Sequence, residues 1–405
     1  MSFRTALSGL NAASSDLNVV SHNIANVNTA GFKKSRAEFA DVFSVSPYGL
    51  ARVQVGSGVK VATVAQQFGQ GNIDFTDNNL DVAISGQGFF TLSDAGTMVY
   101  SRAGNFSRDR DGFVVNPANQ RLQVFPVNAN GGFDTGRLAD LQLSAGENPP
   151  TATASMDIGI TLPADAAVPT TAVFDPADST SYNHTTSMTV YDSLGVAHVA
   201  SVYFVKTANP NEWQVHSRVD GNAVGGPSTL QFSTSGALTA PVGGTFALPA
   251  YDPGNGAAPL NVSVDLGAST QYGERFVVSS LTQDGNTTGR LTAIEISAEG
   301  VVFARYTNGR STALGQVAMT NFSNPQGLQK LGDNAWGESF ESGQAIRGQA
   351  GTSAFGLLQS GALESSNVDL TEQLVNMITA QRNFQANAQM ITTQDQVTQT
   401  IINIR

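Results

Sequence analysis

Apolar residues recur at helical spacing at both ends of this 405-residue chain and alternate with polar ones between them. Near the N-terminus Phe3, Leu7, Leu10, Ala13, Leu17, Val20 and Ile24 follow at steps of three and four, which sets them on one helix face. The spacing predicts that this helix stops near Asn26, where Asn-Val-Asn-Thr-Ala-Gly brings turn-forming residues and Gly31 can take a positive φ without steric cost. At the other end Gly361 is the last glycine, and the 44 residues after it contain neither Gly nor Pro. There Leu370, Leu374, Met377, Phe384, Ala388, Ile391 and Ile402 form a near-heptad stripe interrupted by Gln381, Asp395 and Thr398. A helix continuous from Asn367 would be ~58 Å long at about 1.5 Å per residue. Both helices carry a narrow apolar seam among Gln, Asn and Thr, and neither can bury it alone. One reading packs the two ends together as an antiparallel coiled coil; the other adds neighbouring copies of the chain.

Between the helices the period is two. Val59 to Val64, Arg121 to Phe125, Ser187 to Tyr191, His198 to Phe204 and Leu291 to Ile296 are short, β-branched and bounded by Gly, Asn, Asp or Pro, as antiparallel strands are. Eleven of the 15 prolines lie between Glu147 and Arg275, and residues 146–275 hold 3 basic against 11 acidic residues. The strands flanking this block resemble each other, which predicts a domain inserted in a loop of another. The expected fold is mainly β with α-helical termini, the two helices pairing as a coiled coil, and two antiparallel β domains, the outer inserted in the inner. The expected divisions are 1–26 and 363–405 for the helical coiled coil, 27–72 and 345–362 for an extended linker region, 73–146 and 275–344 for the inner β domain, and 147–274 for the outer one. The Gly- and Pro-bearing stretch from Pro47-Tyr48-Gly49 to Gly56-Ser57-Gly58 reads either as a hinge or as an ordered surface loop.

Composition narrows the function classes. A net charge of -11 argues against a chain-wide grip on nucleic acid or on anionic lipid. No run approaches the ~20 apolar residues of a membrane span, and the first residues lack the apolar core of a cleavable signal. Zero cysteines exclude disulfides, thiolate metal sites and thiol catalysis, and His22, His184, His198 and His216 are too scattered to pair at helical spacing. Gly86-x-Gly88 lacks the rest of a dinucleotide turn. Asp109-Arg110-Asp111-Gly112 reads as a hairpin turn rather than half a calcium loop, and Asp74, Asp77 and Asp81 with Asn78 and Asn79 read as a solvated loop. Asn-x-Ser/Thr at Asn183, Asn261 and Asn286 is what Asn- and Thr-rich loops contain by chance. Neither metal, cofactor nor catalytic residue is assigned. A secreted carbohydrate-active enzyme stays as the remote alternative, because paired carboxylates leave no fixed spacing in a sequence.

One stretch is more specific. Ser21 to Lys33, with Asn23, Ile24, Ala25, Asn26, Asn28, Thr29, Gly31, Phe32 and Lys33, resembles the N-terminal signature of the bacterial flagellar axial proteins, the rod, hook and hook-associated family. Leu80 to Phe90, Ala103 to Gly112 and Gly361 to Leu370 look like the same family, so the resemblance brackets both chain ends. The extra β block, Asn324 to Gly332 and Trp336 look like its hook-forming type, with a distal rod or hook-associated member as the alternative. The resemblance implies a structural subunit that self-assembles into a curved, flexible tube acting as a universal joint between motor and filament. It implies a subunit interface on the terminal coil at Phe3, Leu7, Leu10, Leu17, Val20, Ile24, Leu370, Leu374, Met377, Phe384, Ile391 and Ile402. It also implies export through the flagellar export apparatus to the cell exterior. The partners it implies are the distal rod, hook cap and hook-filament junction proteins, with no nucleic acid and no membrane insertion.

Overall fold

The computed structural model describes residues 2–42, 56–128, 130–143, 146–352 and 354–403. Helix α1 (Ser2–Ala25) and helix α2 (Leu370–Asn403) close the two ends, and the described residues between them form strands, turns and the short 3-10 helices Val242–Gly244 and Pro325–Gly327. The chain divides into two compact units, one of residues 1–145, 293–305 and 311–405, the other of 146–292 and 306–310.

In the first unit, strands from both sides of the insertion share one sheet. Its order runs Ser311–Val317, Arg121–Phe125, Phe89–Asp94, Thr97–Ser101, Ala335–Gly337 and Gln329–Gly332, all antiparallel. Successive side chains of a strand point to opposite faces, and here each face has a core to fill. Phe90, Leu92 and Val99 enter a cluster with Val82, Leu122, Val124, Leu143, Val317 and Met319. Their neighbours Phe89 and Tyr100 enter a second, aromatic cluster with Phe322 and Trp336. Rings there meet edge to face, as at Tyr100 and Phe322 with centroids 4.8 Å apart.

The second unit is built from an antiparallel sheet in the order His184–Tyr191, Ala197–Lys206, Glu212–Val219, Ser228–Phe232 and Leu238–Ala240, together with a smaller sheet around Ser155–Pro163. Ala197–Lys206 and Glu212–Val219 alternate strictly between buried and outward positions, which sends Val202, Phe204, Trp213 and Val215 into one core with Ile158, Leu162 and Val264.

Four expectations change. The second unit ends at 292 rather than 274, because Val277–Gln283 pairs antiparallel with Ser155–Pro163 along most of its length. Ser155–Pro163 also pairs in parallel with Ser263–Asp265 and Thr270–Tyr272, so this unit is not purely antiparallel. The stretches on either side of the inner strands are not an extended linker: strand β1 (Ser35–Asp41) and strand β2 (Val59–Gln66) form an antiparallel pair, and Leu357–Ser360 pairs with Val82–Ser85. Likewise Ala362–Glu364 is a strand paired with Ile73–Phe75, so the C-terminal helix begins at Leu370 and not at 363 or Asn367. Pro47, Tyr48 and Gly49 of the expected hinge lie outside the described residues. Its far end does not: Ser57 N–H donates to the Val42 carbonyl at 2.7 Å, and Val59 N–H donates to Ser8 Oγ of α1 at 3.2 Å.

Candidate assembly surface and its anchor

Helices α1 and α2 pack side by side. Asn23 Nδ2 donates to Gln373 Oε1 at 3.1 Å, and Gly9 lies so close to Asn387 that a Cβ there would sit 2.9 Å from its Cγ. The two contacts are fourteen residues apart on each helix and run in opposite senses, which makes the coil antiparallel. The least exposed positions of α2 are Gln373, Met377, Ala380, Phe384, Asn387, Ala388, Ile391 and Gln394; steps of four and three from Gln373 to Gln394 define the seam, with Ala388 beside it. Asp369 caps the helix, its Oδ1 accepting N–H bonds from Thr371 at 2.8 Å and Glu372 at 3.0 Å. Such a cap is worth about 1 kcal/mol.

The predicted coil residues therefore separate into two groups. Val20 is buried, and Leu10, Leu17, Ile24, Met377, Phe384 and Ile391 are half-buried. Phe3, Leu7, Leu370, Leu374 and Ile402 are exposed, and Val375, Ile378, Met390, Val397 and Ile401 join them. The expected stripe took Leu370 and Leu374 for the seam, but Gln373, one residue away from Leu374, occupies it. Nothing in a hydrophobicity pattern ranks a glutamine above a leucine for that place.

The motif at the end of α1 is an anchor. Asn26 Nδ2 donates to the His22 carbonyl at 2.9 Å, ending the helix, and Thr29 Oγ1 donates to Asn26 Oδ1 at 3.2 Å. Ile24 and Ala25 complete the last helical turn, and Asn28 is exposed in the turn that follows. Asn23 is buried and ties α1 to β1 in both directions, its Nδ2 donating to the Ser35 carbonyl at 2.8 Å and its Oδ1 accepting Ser35 N–H at 2.9 Å. Gly31 has φ of 69°, and a side chain there would overlap the backbone of Ala103. That close approach lets Gly31 N–H donate to the Glu364 carbonyl at 2.7 Å. Phe32 is buried and meets His22 edge to face at 5.6 Å.

Lys33 and Glu364 form the centre of this anchor. Both side chains are fully buried, with Nζ and Oε1 2.5 Å apart. Lys33 Nζ also donates to the Gly69 carbonyl at 2.9 Å, and Glu364 Oε1 accepts Gly71 N–H at 2.9 Å. The Arg102 guanidinium stands 3.7 Å from Glu364 Oε2 and donates to the Gly86 carbonyl at 2.8 Å. Burial pushes the Lys33 ammonium below its ordinary range, opposed by the charge of Glu364 and reinforced by that of Arg102. Asn367 completes the joint, its Oδ1 accepting Lys34 N–H at 2.8 Å and its Nδ2 donating to the Gln67 carbonyl at 2.7 Å. Both chain ends, the start of the C-terminal helix and the β body thus meet around one buried ion pair. The sequence gives the motif but not the pairing, since Lys33 and Glu364 stand 331 positions apart.

The expected loops behave as loops. Asp109 Oδ1 accepts N–H bonds from Asp111 at 2.9 Å and Phe113 at 2.7 Å, and Asp81 accepts from Thr76 Oγ1 at 2.8 Å and Asn78 Nδ2 at 3.0 Å. One charged cluster in the second unit was not legible. His198 Nδ1 lies 2.6 Å from Asp220 Oδ2, and its Nε2 lies 3.3 Å from Asp192 Oδ2, which also accepts Asn255 Nδ2 at 2.6 Å. Carboxylates occupy both ring nitrogens, leaving neither to activate a nucleophile. Burial opposes a charge on His198, yet hydrogen bonds to Asp220 and Asp192 outweigh it and raise the imidazole above 6.5. Burial likewise opposes the Asp192 carboxylate, but bonds from Asn255, Val196, His198 and Leu194 hold it at about 2. The raised histidine stabilises the fold fully below its unfolded value and loses that effect as pH rises through the folded one; the lowered aspartates lose theirs only in acid. The melting-temperature gap between wild type and His198→Gln is therefore expected to be widest between pH 3.8 and 6.5, and to shrink above that range. Thermal melts across pH check this, and a gap that does not vary with pH contradicts it.

A nested β body whose two ends meet in one coil is the organisation of a flagellar axial protein, and four family descriptions match along the chain. They are "Flagella basal body rod protein" at 3–33, "Flagellar hook protein FlgE/F/G D1 domain" at 83–173, "Flagellar basal body protein FlaE D2 domain" at 161–286 and "Flagellar basal body rod FlgEFG protein C-terminal" at 359–404. The flagellar hook protein FlgE of Escherichia coli is 41% identical over 418 residues, covering 100% of both chains. That of Borreliella burgdorferi is 33% identical over 440 residues, covering 100% of this chain and 99% of its own. In fold, the chain is similar to the crystal structure of Helicobacter pylori flagellar hook protein FlgE2, with a TM-score of 0.55 over 72% of this chain and 100% of that one, at 14% identity. The chain belongs to the flagellar hook protein family, and it is a structural subunit of the hook.

Proposed function

We propose that this subunit polymerises with copies of itself into the hook tube, and that its terminal coil is the seam of the polymer. The observation that carries this reading is the set of large apolar side chains left in water on both helices, Phe3, Leu7, Leu370, Leu374 and Ile402 among them. Burying one Leu-sized side chain contributes ~1.5–3 kcal/mol. A few such contacts per neighbour, repeated along a tube, hold it without any larger interface. Leu10, Leu17, Val20, Ile24, Met377, Phe384 and Ile391 keep the helices of one subunit paired, and the exposed group joins subunits. The motif from Asn23 to Lys33 fastens the coil to the β body, so that torque entering one is delivered to the other.

A tube that bends while it turns needs contacts that slide as well as contacts that hold. In this reading the terminal coil holds, and the second unit, with its excess of acidic residues, supplies weak polar contacts worth ~0–1 kcal/mol each. The ends of the tube meet the distal rod, the hook cap and the hook-filament junction proteins. The subunit reaches the growing tip through the flagellar export apparatus and works outside the cell. Before assembly the exposed seam lacks partners, and frayed helices suit passage through a narrow channel. Concentrating the purified protein and examining it by sedimentation and electron microscopy tests the reading. Tubes that appear above a threshold concentration are expected; a monomer at every concentration contradicts it.

A further inference from the structure

The hairpin of Gln329–Gly332 and Ala335–Gly337 leads into a projection and borders a cleft. Just beyond its open end Phe340 stands at 103% exposure, the fullest of the large apolar side chains among the described residues. Single exposed apolar residues are ordinary on a protein surface. This one differs because the backbone beneath it is fixed. Ser339 Oγ accepts N–H bonds from Glu341 and Ser342, each at 3.2 Å, and donates to the Gly327 carbonyl at 2.5 Å. Ser342 is fully buried, its Oγ donates to the Ser339 carbonyl at 2.8 Å, and Asn324 Nδ2 donates to the Glu341 carbonyl at 3.0 Å. An aromatic ring held out on a turn with so little backbone freedom loses little entropy when it is covered, which is the property of an anchor at a protein contact.

The same hairpin borders a cleft of about 320 Å³ lined by His22, Phe32, Lys330, Asp333, Asn334 and Trp336. Lys330 Nζ donates to Ser35 Oγ at 3.2 Å, and the described residues give it no ion-pair partner. Phe340 is flanked by the exposed carboxylates Glu338 and Glu341. The ring is fully exposed, so it does not fill the cleft of its own copy.

We propose that the Phe340 turn of one copy docks in the cleft beside Trp336 of a second copy, with Glu341 pairing to Lys330. The contact joins two different patches, so it is head-to-tail, the kind of contact that builds an open helical polymer when its rotation does not close a ring. It rests on the homopolymer reading above and adds a named contact outside the terminal coil.

Phe340→Ala is expected to raise the concentration at which tubes first sediment by roughly tenfold while the monomer melts as wild type does. The chain has no cysteine, which permits a direct check. Wild-type tubes doped with Phe340→Cys and Lys330→Cys copies together are expected to yield a covalent dimer with a short bis-maleimide crosslinker, and tubes doped with either variant alone none. Phe340→Ala assembling at the wild-type concentration, or doubly doped tubes yielding no dimer, would overturn the contact. Wild-type protein that forms no tubes would instead refute the homopolymer reading on which the contact depends.

Discussion

Replacing Lys33 by methionine is expected to destabilise the first unit by about 3–5 kcal/mol, because it leaves the Glu364 carboxylate buried without its main partner. Arg102 is 3.7 Å from the other carboxylate oxygen and carries its own desolvation, which pushes its guanidinium down, so it offsets only part of the loss. Gly71 N–H remains as a donor, but one amide cannot replace an ammonium. The double variant Lys33→Met with Glu364→Gln removes both charges and is expected to lose less than the sum of the two single changes. Denaturant melts of the four proteins measure that coupling directly. Additive losses would mean that the pair is not the centre of the joint. The consequence for assembly follows from position: loosening this joint frees α1 and the start of α2 from β1 and from the strand at Glu364, and the coil loses its fixed angle to the β body.

Much of this architecture is legible in the sequence, and the illegible parts have physical causes. The stripe from Phe3 to Ile24 predicts α1 to within a residue of its end, since the apolar spacing and the Asn-rich stop agree. Arg121 to Phe125 and Leu291 to Ile296 are strands with the expected bounds, because turn residues delimit them on both sides. Pairing between distant segments is another matter. Periodicity does not report that Val277–Gln283 returns to Ser155–Pro163, so the edge of the inserted unit is misplaced by nearly twenty residues. The Lys33 and Glu364 pair is hidden for the same reason, and a buried lysine looks like any surface lysine in a sequence. His198 between Asp192 and Asp220 is a third case, assembled by a hairpin tip and a turn that only the folded sheet brings together. The seam of α2 fails differently. Its polar members Gln373, Asn387 and Gln394 are chosen by the antiparallel fit to α1, while apolar Leu370 and Leu374 are left outward.

That outward group gives the second large effect. Leu374→Glu is expected to leave the monomer folded, because the side chain is 46% exposed and lies outside the seam. In the proposed polymer the same position is covered, and an unpaired carboxylate there would cost several kcal/mol at every subunit contact. Phe384→Glu is expected to act differently. Phe384 is half-buried in the seam, so the charge opens the coil within one subunit and lowers its helix content before any assembly is attempted. The two variants separate the pairing of helices within a subunit from the joining of subunits.

Sedimentation of Leu374→Glu at concentrations where wild type forms tubes, with a thermal melt of the same sample, tests the central claim most directly. The variant is expected to stay in the supernatant while melting as wild type does. Tubes that pellet at the wild-type concentration would show that the exposed face of the terminal coil is not the subunit seam.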